Sequence, residues 1–254
     1  MKNLLYIYVF FFVFGIQPSI AQQAIKQELQ ENPAFLFGFE YGYHLVGGDL
    51  SQRFGPNLNI GANISYLPQN KNYHFGIKAS YYFGDTVKQD VLAHLRDKNG
   101  YILGINYEYA QVKLRQRGFE TSAFVSKVFP FGNQNSRTGL RVDLGIGLYQ
   151  HWIRLQDDFV TAAQLNDPYD KGYDRLSNGL SLTQFVGYQY ISKDKRINFY
   201  AGFDFLQAFT KNRRYYDFAT MSVDTENRTD LMYGLKAGWI LPIYIEKSPE
   251  TIYY

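Results

Sequence analysis

The chain has 254 residues, a formal net charge of +3 and no cysteine, which excludes a disulfide framework, a lipid-anchored cysteine and a thiolate metal site. So small and dispersed a charge argues against a nucleic-acid partner. Aromatic residues reach 18%, with 23 Tyr, 21 Phe and 22 Gly, yet mean hydropathy is -0.31, the mixture expected when half of each strand is greasy and half polar.

Met1-Lys2-Asn3, an apolar run from Leu4 to Ile16 and the small residues Ser19 and Ala21 are the three parts of a secretory signal peptide, residues 1–21. No later apolar run reaches the roughly 18 residues a membrane helix needs, so any span must be made by strands. Residues 22–34 have helix-forming composition up to Asn32-Pro33 and read as a short periplasmic tail. The barrel is expected over residues 35–244, with residues 245–254 as a C-terminal tail.

A first strand over residues 35–46 sets Phe35, Phe37, Phe39, Tyr41 and Tyr43 against Gly38, Glu40, Gly42 and His44. Residues 57–66 and 73–83 repeat the rule, with Ile60 and Ile64, then Phe75 and Ile77, outward and Asn59 and Asn63, then Lys78 and Ser80, inward. Over residues 84–100 the alternation stops, and Val87, Val91 and Leu95 behind Asp85 predict a short capped helix inside a long loop. Residues 101–129 are ambiguous, because Val112 and Leu114 lie on one parity and Phe119, Ala123 and Val125 on the other. A bulge, or a turn at Arg117-Gly118, is expected to absorb the change of face.

Residues 138–153 alternate Leu140, Val142, Leu144, Ile146, Leu148 and Trp152 with Arg141, Asp143, Tyr149 and His151. A polar loop follows over residues 154–178, and residues 179–191 form the next strand, with Gln184 an unexplained polar residue on the apolar face. Residues 198–208 put Phe199, Ala201, Phe203 and Phe205 on one face and Asn198, Gly202 and Asp204 on the other. After a loop over residues 211–229, the last strand, residues 230–244, points Leu231, Leu235, Trp239 and Leu241 outward and Lys236 inward.

The pattern is all-β, a transmembrane antiparallel up-and-down barrel. Read as one long strand, residues 107–129 complete eight strands, with long connections on one side and short ones near Asn70, Asn133 and Lys193 on the other. A turn at Arg117-Gly118 makes ten the alternative. A barrel of eight strands is about wide enough to be filled by its own side chains. Glu40, Asp143 and Asp204 against Lys78, Arg141 and Lys236, with Glu120 beside them, predict internal ion pairs that lock the lumen.

At the external rim His44, His151, Asp157 and Ser177 supply the raw material for general-base or nucleophilic chemistry, but at no motif spacing, so no enzyme is expected. The plainer expectation is that the two histidines hydrogen-bond across the lumen mouth. Asp157, Asp158, Asp167, Asp170 and Asp174 lack the ordered spacing of a calcium loop, so neither a metal nor a cofactor is expected. Lys171, Tyr173 and Asp174 are candidates for an external contact, and Arg213 and Arg214, before Tyr215 and Tyr216, for the lipid headgroups of the outer leaflet.

Ala21-Gln22-Gln23, the stretch from Gly48-Asp49-Leu50 through Arg53-Phe54-Gly55, Lys171-Gly172-Tyr173-Asp174-Arg175-Leu176, Gln184-Phe185-Val186-Gly187-Tyr188 and Asn198-Phe199-Tyr200-Ala201-Gly202-Phe203 together resemble an outer-membrane β-barrel family of the Bacteroidota over nearly the whole mature chain. The resemblance implies an outer-membrane address and a barrel, and carries no catalytic residues. The expected role is a structural or accessory envelope component that acts through its long external loops or its periplasmic tail, with outer-membrane lipid and other envelope proteins as partners. A lipid-modifying or hydrolytic enzyme and a narrow small-solute channel are the alternatives.

Overall fold

The computed structural model describes residues 32–131, 137–159, 161–192 and 197–245. The expected signal peptide, most of the N-terminal tail, the turns near Asn133 and Lys193 and the tail after Ile245 lie outside the described residues. In chain order the strands are β1 (Ala34–Gly48), β2 (Asn57–Leu67), β3 (Tyr73–Gly84), the short β4 (Ile102–Leu103) and β5 (Tyr109–Ala110), β6 (Val112–Pro130), β7 (Gly139–Asp157), β8 (Ser177–Ile191), β9 (Asn198–Asn212) and β10 (Asn227–Tyr244). Eight of them close a ring in the order β1-β10-β9-β8-β7-β6-β3-β2, while β4 and β5 pair with each other. Each neighbouring pair in the ring is antiparallel, and β1 seals against β10 from Ala34↔Tyr244 to Gly48↔Asp230.

Closure follows from where the apolar face points. Tyr41 is 70% exposed, whereas its chain neighbour Glu40 is 3% exposed, and the same inversion runs through Ile77 and Lys78 and through Phe203 and Asp204. Aromatics outside and charges inside are stable only when the outside is lipid, and in lipid an open strand edge would leave backbone N–H and C=O groups without partners. A ring removes every edge. This is the architecture of an outer-membrane barrel.

Short connections lie at one end of the barrel and long ones at the other, which places the connections β1–β2, β3–β6, β7–β8 and β9–β10 on the external side. There they fold back over the lumen. Leu50, Phe54, Val91, Leu92, Ile102, Ala110, Val112, Ile153, Ala162, Leu165 and Tyr173 form one buried cluster that continues down to Tyr82, Tyr149, Leu206 and Met232 inside the ring. Gly48 makes the entry into this cap possible: its φ is +59°, and a Cβ there would stand 2.2 Å from the Thr229 carbonyl oxygen.

The structure corrects the expectations for the middle of the chain. β6 runs without a bulge or turn, in unbroken register from Tyr73↔Lys127 to Gly84↔Gln116 on one side and from Val112↔Asp157 to Pro130↔Gly139 on the other. Arg117 and Gly118 are mid-strand, so the count is eight rather than ten. Val112 and Leu114 face inward like Glu120, and what changes is their surroundings, because at that height the lumen is filled by the apolar cap. β6 also begins at Val112 rather than Tyr107, which lies in a 3-10 turn.

The helix expected behind Asp85 is only a 3-10 turn, Ala93–Leu95, and Asp85 instead pairs with Arg115. The one α-helix among the described residues, α1 (Leu50–Arg53), follows Asp49, and buries Leu50 and Arg53 in the cap. β7, β9 and β10 extend three or four residues further at their external ends than the alternation suggested, with the backbone ladder continuing through mixed polar and apolar residues. Gln184 faces outward between Leu144 and Phe205, and nothing in the structure explains it.

Phe54 is fully buried and meets the His151 ring edge-on at 5.6 Å between centroids. Phe54→Ala is expected to remove about 3 kcal/mol of cap stability. The measurement is external proteolysis of intact cells or proteoliposomes. Faster loop cleavage with the heat-resistant barrel band retained is expected, and unchanged cleavage would count against a packed cap.

Candidate functional site

Inward parity on the ring strands brings the predicted charges into one layer. Lys236 Nζ lies 2.7 Å from Asp204 Oδ1 and 3.4 Å from Glu40 Oε1, so one ammonium bridges two carboxylates contributed by β9 and β1 on either side of its own strand. Glu40 also accepts hydrogen bonds from Ser80 Oγ at 3.0 Å and from the Tyr200 hydroxyl at 2.8 Å. Lys78 stands 3.6 Å from Glu120 across the β3–β6 pairing. All five charged groups are less than 10% exposed, and buried charges of this kind hold only when paired.

Below this layer Arg141 forms a two-pronged pair with Asp143, Nε to Oδ1 at 2.8 Å and Nη2 to Oδ2 at 2.7 Å. Its guanidinium lies 4.3 Å from the centre of the Tyr200 ring. That ring needs the glycine opposite, since a Cβ at Gly238 would sit 2.4 Å from Tyr200 Cζ. Between the two ionic layers the open volume is about 20 Å³, lined by Lys78, Arg141, Asp143, Asp204 and Lys236 among others. That is room for about one water molecule.

The rim histidines do not meet each other. His44 Nε2 is 3.0 Å from Asp204 Oδ2, and His151 Nε2 is 3.0 Å from Asp230 Oδ2. An ionised carboxylate only accepts, so in each pair the imidazole nitrogen carries the hydrogen. The hydrogen bond across the mouth is therefore replaced by one carboxylate for each ring.

Ser177 is the register partner of His151, but its hydroxyl donates to the Arg175 carbonyl at 3.1 Å and accepts from Arg53 Nη1 at 3.3 Å. Asp157, further along β7, holds the backbone N–H of Ala162 at 2.7 Å. His44, His151 and Ser177 are all 1% exposed or less beneath the cap. Beneath the cap all three are engaged in packing and hydrogen bonding.

The external candidates divide in the same way. Tyr173 is buried, stacked on His94 at 5.5 Å and edge-on to Phe218. Asp174 receives two hydrogen bonds from Arg214. That hydrogen bonding, partly offset by burial, holds the Arg214 guanidinium above its ordinary range. These three residues build the cap instead of presenting a contact surface. Lys171 stays in solvent, 2.6 Å from Asp167. The loop carboxylates Asp157, Asp158, Asp167, Asp170 and Asp174 do not converge, and among the described residues no three His, Cys, Asp or Glu side chains are placed to hold a metal ion.

The alternation could not reveal a further charge cluster in the cap. Arg53 lies 3.6 Å from Asp224, which Arg228 also grips at 2.6 Å, and Arg175 pairs with Asp217 at 2.8 Å. Burial, then the neighbouring Arg228 and Arg175 charges, lowers the Arg53 guanidinium to about 10 against the pull of Asp224 and Asp230. The one local signal was Asp49 ahead of Leu50-Ser51-Gln52-Arg53, a residue type favoured before a turn of helix, although its carboxylate makes no cap and accepts from the Thr229 N–H at 2.8 Å.

No family model and no curated protein matches the chain. Among solved structures it is similar to the outer membrane protein OprG from Pseudomonas aeruginosa, at 12% identity over 85% of this chain and 98% of that one, with a TM-score of 0.42. The N-terminal β-barrel domain of OprF from the same organism matches at 15% identity, 83% and 98% coverage and a TM-score of 0.34. Ail, the attachment invasion locus protein of Yersinia pestis, matches at 8% identity, 83% and 99% coverage and a TM-score of 0.34.

Lys236→Met leaves Glu40 and Asp204 without their shared cation, and is expected to lower unfolding stability by about 3–5 kcal/mol. Adding Glu40→Gln and Asp204→Asn removes the stranded charges and is expected to recover most of that loss. Urea titrations in lipid vesicles, followed by tryptophan fluorescence, check both. Equal midpoints for wild type and Lys236→Met would show that the bridge contributes little.

Proposed function

We propose that this chain is a closed, non-enzymatic outer-membrane barrel that serves as a structural or accessory component of the cell envelope, acting through its external loops. The observation that carries this reading is the filled lumen, where the space between the two ionic layers is about 20 Å³ and an apolar plug lies above them. The burial of His44, His151 and Ser177 favours a non-catalytic role. The resemblance to Bacteroidota barrels belongs to the same reading.

The loop between β3 and β6 supports an accessory role. Its β4–β5 hairpin buries Ile102 and Ala110 and turns Tyr101, Leu103, Ile105, Tyr107 and Tyr109 outward, with Tyr107 89% exposed. The hairpin is pinned to the β7–β8 loop by Ile105 N–H to the Thr161 carbonyl at 2.7 Å and by Gln164 Nε2 to the Leu103 carbonyl at 2.9 Å. A contiguous apolar blade held in place outside the membrane is the kind of surface that another protein covers.

In planar bilayers the purified protein is expected to give no discrete conductance, and a reproducible single-channel step would overturn the sealed lumen. In a mild-detergent pull-down from outer membranes a stoichiometric envelope protein is expected. Leu103→Ser with Tyr107→Ser is expected to release it while the heat-resistant barrel band remains. A lone barrel in the wild-type pull-down would sink the accessory role.

A further inference from the structure

On one side of the barrel the outward face changes character at its external end. Climbing β6, the outward residues pass from Phe119 to Arg117, Arg115 and Lys113, and climbing β7 they pass from Leu148 and Gln150 to Trp152 and Arg154. On β8 Leu180 gives way to Asn178, and on β9 Phe209 gives way to Lys211, with Arg213 just beyond. These four strands are consecutive in the ring. On the other four strands the matching outward positions are Phe83, Leu58, Leu45, Gly47, Leu231 and Thr229, none of them a cation, and the residues just beyond β3 and β1 are the acidic Asp85 and Asp49.

The six cations are crowded in a way the protein alone does not balance. Arg115 and Arg154 are direct register partners, and Arg117 pairs with Trp152. Like charges placed directly opposite on neighbouring strands repel. The single carboxylate bonded to any of the six among the described residues is Asp85, on Arg115. The other partners of the six are neutral oxygens: Gln156 Oε1 accepts from Arg115 Nε at 2.6 Å, the Gln116 carbonyl accepts from Arg117 Nη1 at 2.6 Å, and Asn178 Oδ1 accepts from Arg213 Nε at 2.5 Å. Lys113, Arg154, Lys211 and Arg213 are exposed.

We propose that this half-collar binds the phosphate groups of lipids in the outer leaflet. Its position selects the occupant. The cations stand directly above an outward apolar file of Phe119, Leu148, Leu180 and Phe209, with Trp152 between, so a lipid whose chains lie on that file places its headgroup among the guanidiniums. Guanidinium forks match phosphate oxygens in geometry as well as charge. Of the two arginines expected at the headgroups, Arg214 is paired with Asp174, and Arg213 is the collar's outermost member.

The full-length barrel in neutral detergent is titrated in native mass spectrometry with a diphosphorylated glucosamine lipid, its dephosphorylated counterpart and inorganic phosphate. The diphosphorylated lipid is expected to bind about tenfold or more tightly than the dephosphorylated one, with an affinity that falls as salt rises. Arg115→Gln with Arg117→Gln and Arg154→Gln is expected to weaken it by about tenfold, while the corresponding Arg→Lys set, which keeps the charge and loses the fork, weakens it less and Lys98→Gln, an exposed loop charge off the collar, changes nothing. If the triple variant does not reach the heat-resistant form, Lys113→Gln with Arg154→Gln, both exposed, takes its place with a smaller loss expected. Equal binding of the dephosphorylated lipid, unweakened binding by the variants, or displacement by millimolar inorganic phosphate would overturn the proposal. The sealed lumen and the loop partner are tested separately, so that result would leave the accessory role standing.

Discussion

Lys236 between Glu40 and Asp204 is the interaction on which the rest of the barrel depends. The three groups come from β10, β1 and β9, and the β1–β10 seam is where the two ends of the chain must find each other to close the ring. Backbone pairing alone is indifferent to which strand lies opposite, whereas a buried ammonium facing two buried carboxylates is not. A slip of one residue at the seam would turn Lys236 into lipid and leave both carboxylates stranded inside. The ionic layer therefore specifies closure and register together, and the Arg141–Asp143 pair and the Lys78–Glu120 pair carry the same logic around the remaining wall.

Above the ionic layer the interior changes solvent. Tyr82, Tyr149, Leu206 and Met232 turn the lumen apolar, and Phe54, Leu50, Val91, Leu92 and Ile102 from the external loops complete a core outside the membrane plane. The molecule thus alternates from charged lumen to greasy plug while its outer wall does the reverse, greasy through the lipid and charged above it. Loops that bury this much apolar surface are part of the fold. That is why Tyr173, Asp174 and Arg214, which look like a polar loop in the chain, are spent on internal contacts.

The outer wall is less even than the ring that makes it. Around the belt the aromatic and aliphatic residues are continuous, but the cations at the external end are gathered on β6 to β9 and absent from the matching positions of the other strands. A barrel indifferent to its surroundings would have no reason to crowd Arg115 against Arg154. Together with the β4–β5 hairpin, which also lies in the loop leading to β6, this gives the protein a sidedness, with its sequence-rich features on one flank.

What the chain determined by itself is which way each side chain faces. Period-two alternation assigned Glu40, Lys78, Asp143, Asp204 and Lys236 to the interior and the aromatic files to lipid, because on a strand the side follows from position alone. Depth and partnership were decided by the tertiary structure. Glu40 and Asp204 are 164 residues apart by their numbering, and only the closed register brings Lys236 between them. Val112 and Leu114 suggested a change of face because parity cannot say that a strand has left the membrane and entered a packed cap. The collar was hidden for the same reason: Lys113, Arg115, Arg117, Arg154 and Lys211 read as scattered charges until the ring sets β6 to β9 side by side.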